Sequence, residues 1–201
     1  VITKRQYFYD LFHPSNDGHR IMADCIDYFW EKAAAAAPEP AEAIIDETPA
    51  IGEKYRGLLA FDRSNYNEHE AVRSLESGAF SEKDAMLQYV EKDADTQASP
   101  EFPENWMKPQ GQAGEPFRMR LCCKDLMLVY KDSGNRIFGK VEIRVDGEVT
   151  RVVDPLEVGW DHCTAYVVYE SDTAAEHEIE ISMHPETADK AFTILGFGYT
   201  L

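Results

Sequence analysis

Hydrophobic residues recur at two different spacings along this chain, and the change of spacing divides it. Ile21, Met22, Cys25, Ile26, Phe29, Trp30 and Ala33 fall three and four apart, while Arg20, Asp24, Asp27, Glu31 and Lys32 lie largely on the other side. That pattern predicts an amphipathic helix with one greasy face laid on a core. Few residues precede the stripe, so most of the domain it would cover is expected outside these residues. From residue 55 onwards the spacing shortens to two. Alternating or β-branched runs at 55–61, 71–75, 117–121, 126–130, 141–145, 150–153, 164–169, 177–183 and 192–199 predict strands. Turn residues such as Ser133-Gly134-Asn135 and Asp146-Gly147 separate them, with 132–135 read as a hairpin turn. No strand–helix–strand alternation is visible, which points to an antiparallel β-sandwich, expected to be of jelly-roll type. The long polar stretch 81–114 is expected to form excursions over the sandwich.

Between the two patterns the residues change character. An alanine run gives way to Pro38-Glu39-Pro40-Ala41-Glu42, with Pro49 and Gly52 further on, and residues 38–53 read as a linker. Residues 54–201 are then the sandwich domain.

Charge and cysteine usage narrow the partners. The formal net charge is −17, which disfavours nucleic acid or an anionic lipid surface as a partner. No apolar stretch approaches the length of a membrane span. Cys25, Cys122, Cys123 and Cys163 show neither a disulfide framework nor a C-x-x-C spacing, so a structural zinc site is not expected. Unpaired cysteines lean towards a reducing, cytoplasmic compartment, although an export signal ahead of Val1 stays open. No cofactor is called for.

The candidate chemistry lies in residues 10–19, Asp-Leu-Phe-His-Pro-Ser-Asn-Asp-Gly-His. A neutral imidazole can take a proton from a hydroxyl near neutral pH and return it to a leaving group, and His13 could do so. Its other ring nitrogen must be held by an acceptor, and Asp10 stands three residues earlier on the same loop. Pro14 biases His13 away from helical geometry, keeping it out of the helix that follows. Ser15, Asn16 and Asp17 are all suitable N-caps for that helix. His19 falls on its first turn, where a structural or solvent-facing role is expected.

Asp10, His13, Pro14, Gly18 and His19, followed by a terminal amphipathic helix, resemble the last sequence block of the SGNH (GDSL) hydrolases. The resemblance covers about the first 37 residues. It implies a flavodoxin-like α/β/α domain, of which residues 1–37 would be the C-terminal segment. It also implies ester hydrolysis by a Ser nucleophile, with a Gly and an Asn helping to form the oxyanion hole, His13 as general base and Asp10 as its orienter. The other three blocks have no match here, so the 201 residues alone are expected to be inert. They read as a fragment, or as one of two chains that share the site. Ser133 faintly echoes a nucleophile block, but a period-two strand follows it where a helix should open.

A weaker resemblance concerns the sandwich. The His177-Glu178-Ile179-Glu180-Ile181 run and the closing strand from Phe192 to Phe197 are similar to β-sandwich modules attached to SGNH carbohydrate esterases and to carbohydrate-binding domains. Trp106, Trp160 and Tyr66 are candidates for stacking on sugars, against the plainer alternative of core packing. Asp161-His162-Cys163 reads as a polar turn rather than a metal corner, and Asp93-Ala94-Asp95-Thr96 as a solvated acidic loop rather than a calcium site. Two functions follow. One is the C-terminal portion of an SGNH-type esterase deacetylating carbohydrate esters; the other is a non-catalytic β-sandwich module for carbohydrate binding or protein interaction.

Overall fold

The computed structural model describes residues 3–10, 12–36, 52–86, 102–111 and 113–201. The chain divides into two compact units, with the break between Gly52 and Glu53. The described part of the first unit is helical. Helix α1 (Lys4–Tyr7) is a single turn closed by a capping box between Thr3 and Gln6. Helix α2 (Asn16–Ala35) follows, capped by Ser15. Of the expected apolar stripe, Met22, Ile26, Phe29 and Trp30 are exposed, and Gly18 is the helix's buried residue among those described. The stripe is real; the core expected beneath it is not supplied by the described residues.

The second unit contains β1 (Leu59–Phe61), β2 (Val72–Glu76), β3 (Trp106–Lys108), β4 (Phe117–Asp132), β5 (Val141–Val145), β6 (Glu148–Val153), β7 (His162–Met183) and β8 (Phe192–Thr200). All their pairings are antiparallel, in the order β1-β8-β4-β7-β5-β6, with β2 also on β4 and β3 also on β8. The two long strands make this network a sandwich. The first half of β4 pairs with β2 and with the second half of β7, which also carries β5; the second half of β4 pairs with β8 and the first half of β7.

Parity along β4 shows the change of sheet. Phe117, Met119, Leu121 and Cys123 are buried, then Leu126, Leu128 and Tyr130, so the inward set switches from odd to even positions. The switch coincides with ladder irregularities between Cys123 and Asp125 and between Leu126 and Met127. An extra residue in a strand turns its faces over and bends it, so one strand can serve two sheets. Both halves feed one core with Ile143, Ile179, Ile181, Phe192, Ile194 and Phe197.

Three expectations are corrected here. Runs 117–121 and 126–130 are one strand, as are 164–169 and 177–183, because a ladder irregularity, with residues 171–174 set against Lys124, rather than a chain-reversing turn separates them. The 132–135 segment is not a hairpin turn, since β4 and β5 do not pair with each other. Within the 81–114 stretch lies a strand, β3, placed on β8 with Trp106 opposite Ile194. The Asp146-Gly147 turn does join paired strands β5 and β6, with φ of 52° and 85° at its two positions.

Candidate active site

Between α1 and α2 the described residues, 8–10 and 12–15, are tied into a closed loop. Phe8 and Pro14 make an isolated antiparallel bridge, and the Tyr9 amide donates to the His13 carbonyl at 3.2 Å. Ser15 ties the loop to both helices. Its side chain accepts from the Gly18 amide at 3.1 Å and donates to the Gln6 carbonyl at 2.6 Å, while its amide donates to the Tyr7 carbonyl. Of the three possible caps, Ser15 is the one the helix uses, and its hydroxyl reaches backwards to α1 as well as forwards into α2.

Gly18 is a packing requirement. A Cβ at this position would lie 2.2 Å from the Tyr7 carbonyl oxygen. A larger residue would push α2 off the end of α1, and the loop held between them would open.

Inside the loop, Asp10 and His13 meet. Asp10 Oδ1 accepts from the Phe12 amide at 2.7 Å and the His13 amide at 2.6 Å, and Oδ2 lies 2.5 Å from His13 Nδ1. The carboxylate thus holds both the backbone and the ring of the same histidine. The amide and ring donors of His13, with the Phe12 amide, lower the Asp10 carboxyl to about 2. Ionised, it can only accept, which places the proton on Nδ1 and gives Nε2 the proton-accepting role. His13 and Asp10 are both partly exposed, at 47% and 41% of their side chains. His19 is exposed on the first turn of α2.

The sandwich places the remaining candidates. Trp106 is a core residue, only 2% exposed and edge-on to Phe117, which removes it as a sugar platform. Tyr66 packs against that core beside it. Trp160 is 56% exposed and tilted over His162. Its segment is pinned from beneath: Ser133 donates to Asp161 at 2.5 Å, and the Val158 amide donates to Asp132. Ser133 is fully buried in that bond. Asp161 serves this tie and stands 3.7 Å from Lys131. Among the described residues no group of three His, Cys, Asp or Glu side chains could hold a metal ion. Residues 93–96 lie outside the described residues.

Sequence reasoning missed three features. The Ser15 tether and the Gly18 contact depend on a helix turn at 4–7 that is too short to announce itself by periodicity. The third is Tyr9, whose ring stacks on His13; an aromatic residue directly before the Asp was the only available signal.

No protein-family model matches the chain, and no curated protein matches it by sequence. Solved structures do match. A two-domain esterase (CEX) active on acetylated mannans matches at a TM-score of 0.62 and 18% identity, over 100% of this chain and 52% of that one. The same esterase co-crystallized with mannopentaose matches at 0.60 and 19% identity, over 98% and 50%. A family 35 carbohydrate binding module from an environmental isolate superposes at 0.44 and 12% identity, over 69% of this chain and 90% of that one, too loosely to argue from. The chain therefore shares its fold with a carbohydrate esterase. It spans about half the length of that enzyme.

Proposed function

We propose that this chain is the C-terminal portion of an SGNH-type serine esterase that deacetylates carbohydrate esters. His13 is the general base and Asp10 its orienter, while the Ser nucleophile and the oxyanion donors are supplied by residues outside these 201. Residues 1–37 belong to the catalytic domain, 38–53 link, and 54–201 form the attached β-sandwich. The observation that carries the reading is the Asp10–His13 pair, in which one carboxylate accepts from the ring and from two loop amides.

The chemistry follows from that geometry. With Nδ1 engaged, Nε2 of His13 accepts the proton of a Ser hydroxyl as its oxygen attacks the ester carbonyl. The imidazolium that forms is stabilised by ionised Asp10, then returns the proton to the leaving sugar oxygen. Water repeats the cycle on the acyl-enzyme and releases acetate. The fold shared with an esterase active on acetylated mannans supports an acetylated carbohydrate as the substrate class.

The test is acetate release from p-nitrophenyl acetate and from acetylated mannan by the whole encoded protein. Wild type turns over both, His13→Ala does not, and the 201 residues alone are inert. Unchanged turnover in His13→Ala removes His13 from the mechanism. A second reading, a non-catalytic carbohydrate-binding sandwich, is favoured by exposed Trp160 on its pinned segment. Under that reading His13→Ala changes nothing and Trp160→Ala abolishes oligosaccharide binding.

A further inference from the structure

We propose that Ser15 is a positioning residue for the Asp10–His13 pair, acting through its hydroxyl, a role that rests on the esterase reading above. The hydroxyl donates to the Gln6 carbonyl at 2.6 Å, with the Tyr7 carbonyl at 3.2 Å, and the same oxygen accepts from the Gly18 amide at 3.1 Å. One atom therefore joins the last turn of α1 to the first turn of α2. The Ser15 amide adds a second tie, donating to the Tyr7 carbonyl at 2.7 Å. Making both side-chain links from one oxygen requires a group that donates and accepts, and among N-capping residues that means Ser or Thr; an ionised Asp only accepts.

The constraint is distinct from the one Asp10 supplies. The bonds that Asp10 accepts from the Phe12 amide, the His13 amide and the His13 ring all lie inside the loop, so they set the imidazole relative to the loop and do not fix where the loop stands on the helices. Ser15 does that, two residues after His13. The corner it ties has little slack, since a Cβ at Gly18 would lie 2.2 Å from the Tyr7 carbonyl oxygen and 3.1 Å from Pro14 Cβ. Without the hydroxyl the loop moves as a body, and Nε2 of His13 loses its aim at a nucleophile carried by another stretch. A displacement of that kind costs rate even when it arises away from the reacting atoms. The hydroxyl is engaged by backbone partners, so the loss falls on the chemical step and leaves ground-state substrate binding unchanged.

The experiment compares Ser15→Ala, Ser15→Thr and Ser15→Asp in the whole encoded protein on p-nitrophenyl acetate, with active sites counted by the end-point stoichiometry of a serine-directed organophosphate. The value of kcat is read on its pH-independent plateau, so the carboxylate added in Ser15→Asp does not enter through the His13 ionisation. Ser15→Ala lowers kcat per counted site about tenfold with KM unchanged, and Ser15→Thr stays within about twofold of wild type. Ser15→Asp, which caps α2 without donating to α1, is as slow as Ser15→Ala. A merely structural role would lower the number of counted sites and leave kcat per site at the wild-type value, and that result overturns the proposal. Wild-type kcat in Ser15→Asp also overturns it, assigning the hydroxyl to capping alone, as does a Ser15→Thr variant as slow as Ser15→Ala. His13→Ala is run in parallel. If it is inactive while Ser15→Ala is unimpaired, the Ser15 role alone fails; if it retains turnover, the esterase reading fails and takes the Ser15 role with it.

Discussion

At the scale of single residues, Asp10 does two jobs with one carboxylate. Oδ1 gathers two loop amides and Oδ2 holds the imidazole. Asp10→Asn offers an amide that can donate towards Nδ1, so the wrong tautomer becomes accessible. Its kcat in the whole protein is expected to fall roughly 10²- to 10⁴-fold, with KM changed little. The carboxyl is held at about 2, so it is ionised throughout the working range. The acid limb of kcat/KM should then show one ionisation above about pH 3, with no second limb from Asp10. Gly18 acts at a distance from the chemistry. Gly18→Ala meets the Tyr7 carbonyl and should cost about 1–3 kcal/mol locally, read as a loss of kcat with the sandwich's thermal transition in place. Neither effect is visible from sequence spacing, because each depends on a contact across the α1–α2 corner.

At the scale of elements, long strands with a change of parity organise the sandwich. Alternation within 117–121 and 141–145 was legible because one face of each is the more deeply buried, whereas 192–199 was legible as an apolar run because β8 is buried along its whole length. The join across residues 122–125 was not, since a bulge breaks the alternation just where a turn would. Strand β3 was hidden for another reason: three residues inside a polar stretch carry too short a pattern. It is held beside a buried polar cluster. Lys131 lies 3.1 Å from Asp84, with both side chains 3% exposed, and Asp84 also accepts from Thr193. Asn105, one residue before β3, exchanges hydrogen bonds with the Asp84 backbone. Lys131→Met leaves Asp84 a buried, unpaired charge and should destabilise the unit by about 3–5 kcal/mol in urea unfolding. Adding Asp84→Leu should recover part of that loss, because the charge left behind is removed too; full additivity of the two changes would contradict this account.

At the scale of the whole molecule, the site and the sandwich are two units with different dependences on pH. In the sandwich, His177 lies 2.7 Å from Asp146, whose amide and carboxylate also pair with Glu178. The His177 hydrogen bond, and then the Glu178 amide, hold the Asp146 carboxyl below its ordinary value of 3.8. A carboxyl depressed in the folded state stabilises above its unfolded pKa, and that contribution is lost as pH falls through the lower folded value. Thermal scans below about pH 4 should therefore show Asp146→Asn losing stability less steeply than wild type; parallel curves would rule out the contribution. The division into helical and β units was legible from the change of period. Which residues would complete the proposed catalytic site was not, since a triad is assembled by the fold from distant parts of a chain.

The central claim is that this chain supplies the base and another stretch supplies the nucleophile. A serine-directed organophosphate, diethyl p-nitrophenyl phosphate, tests it most directly: a nucleophilic Ser attacks phosphorus, p-nitrophenolate leaves, and mass spectrometry locates the adduct. In the whole encoded protein the account predicts one labelled Ser outside these 201 residues, with labelling slowed roughly a thousandfold or more in His13→Ala. A label on a Ser within the 201 residues, or an unchanged labelling rate in His13→Ala, would contradict it.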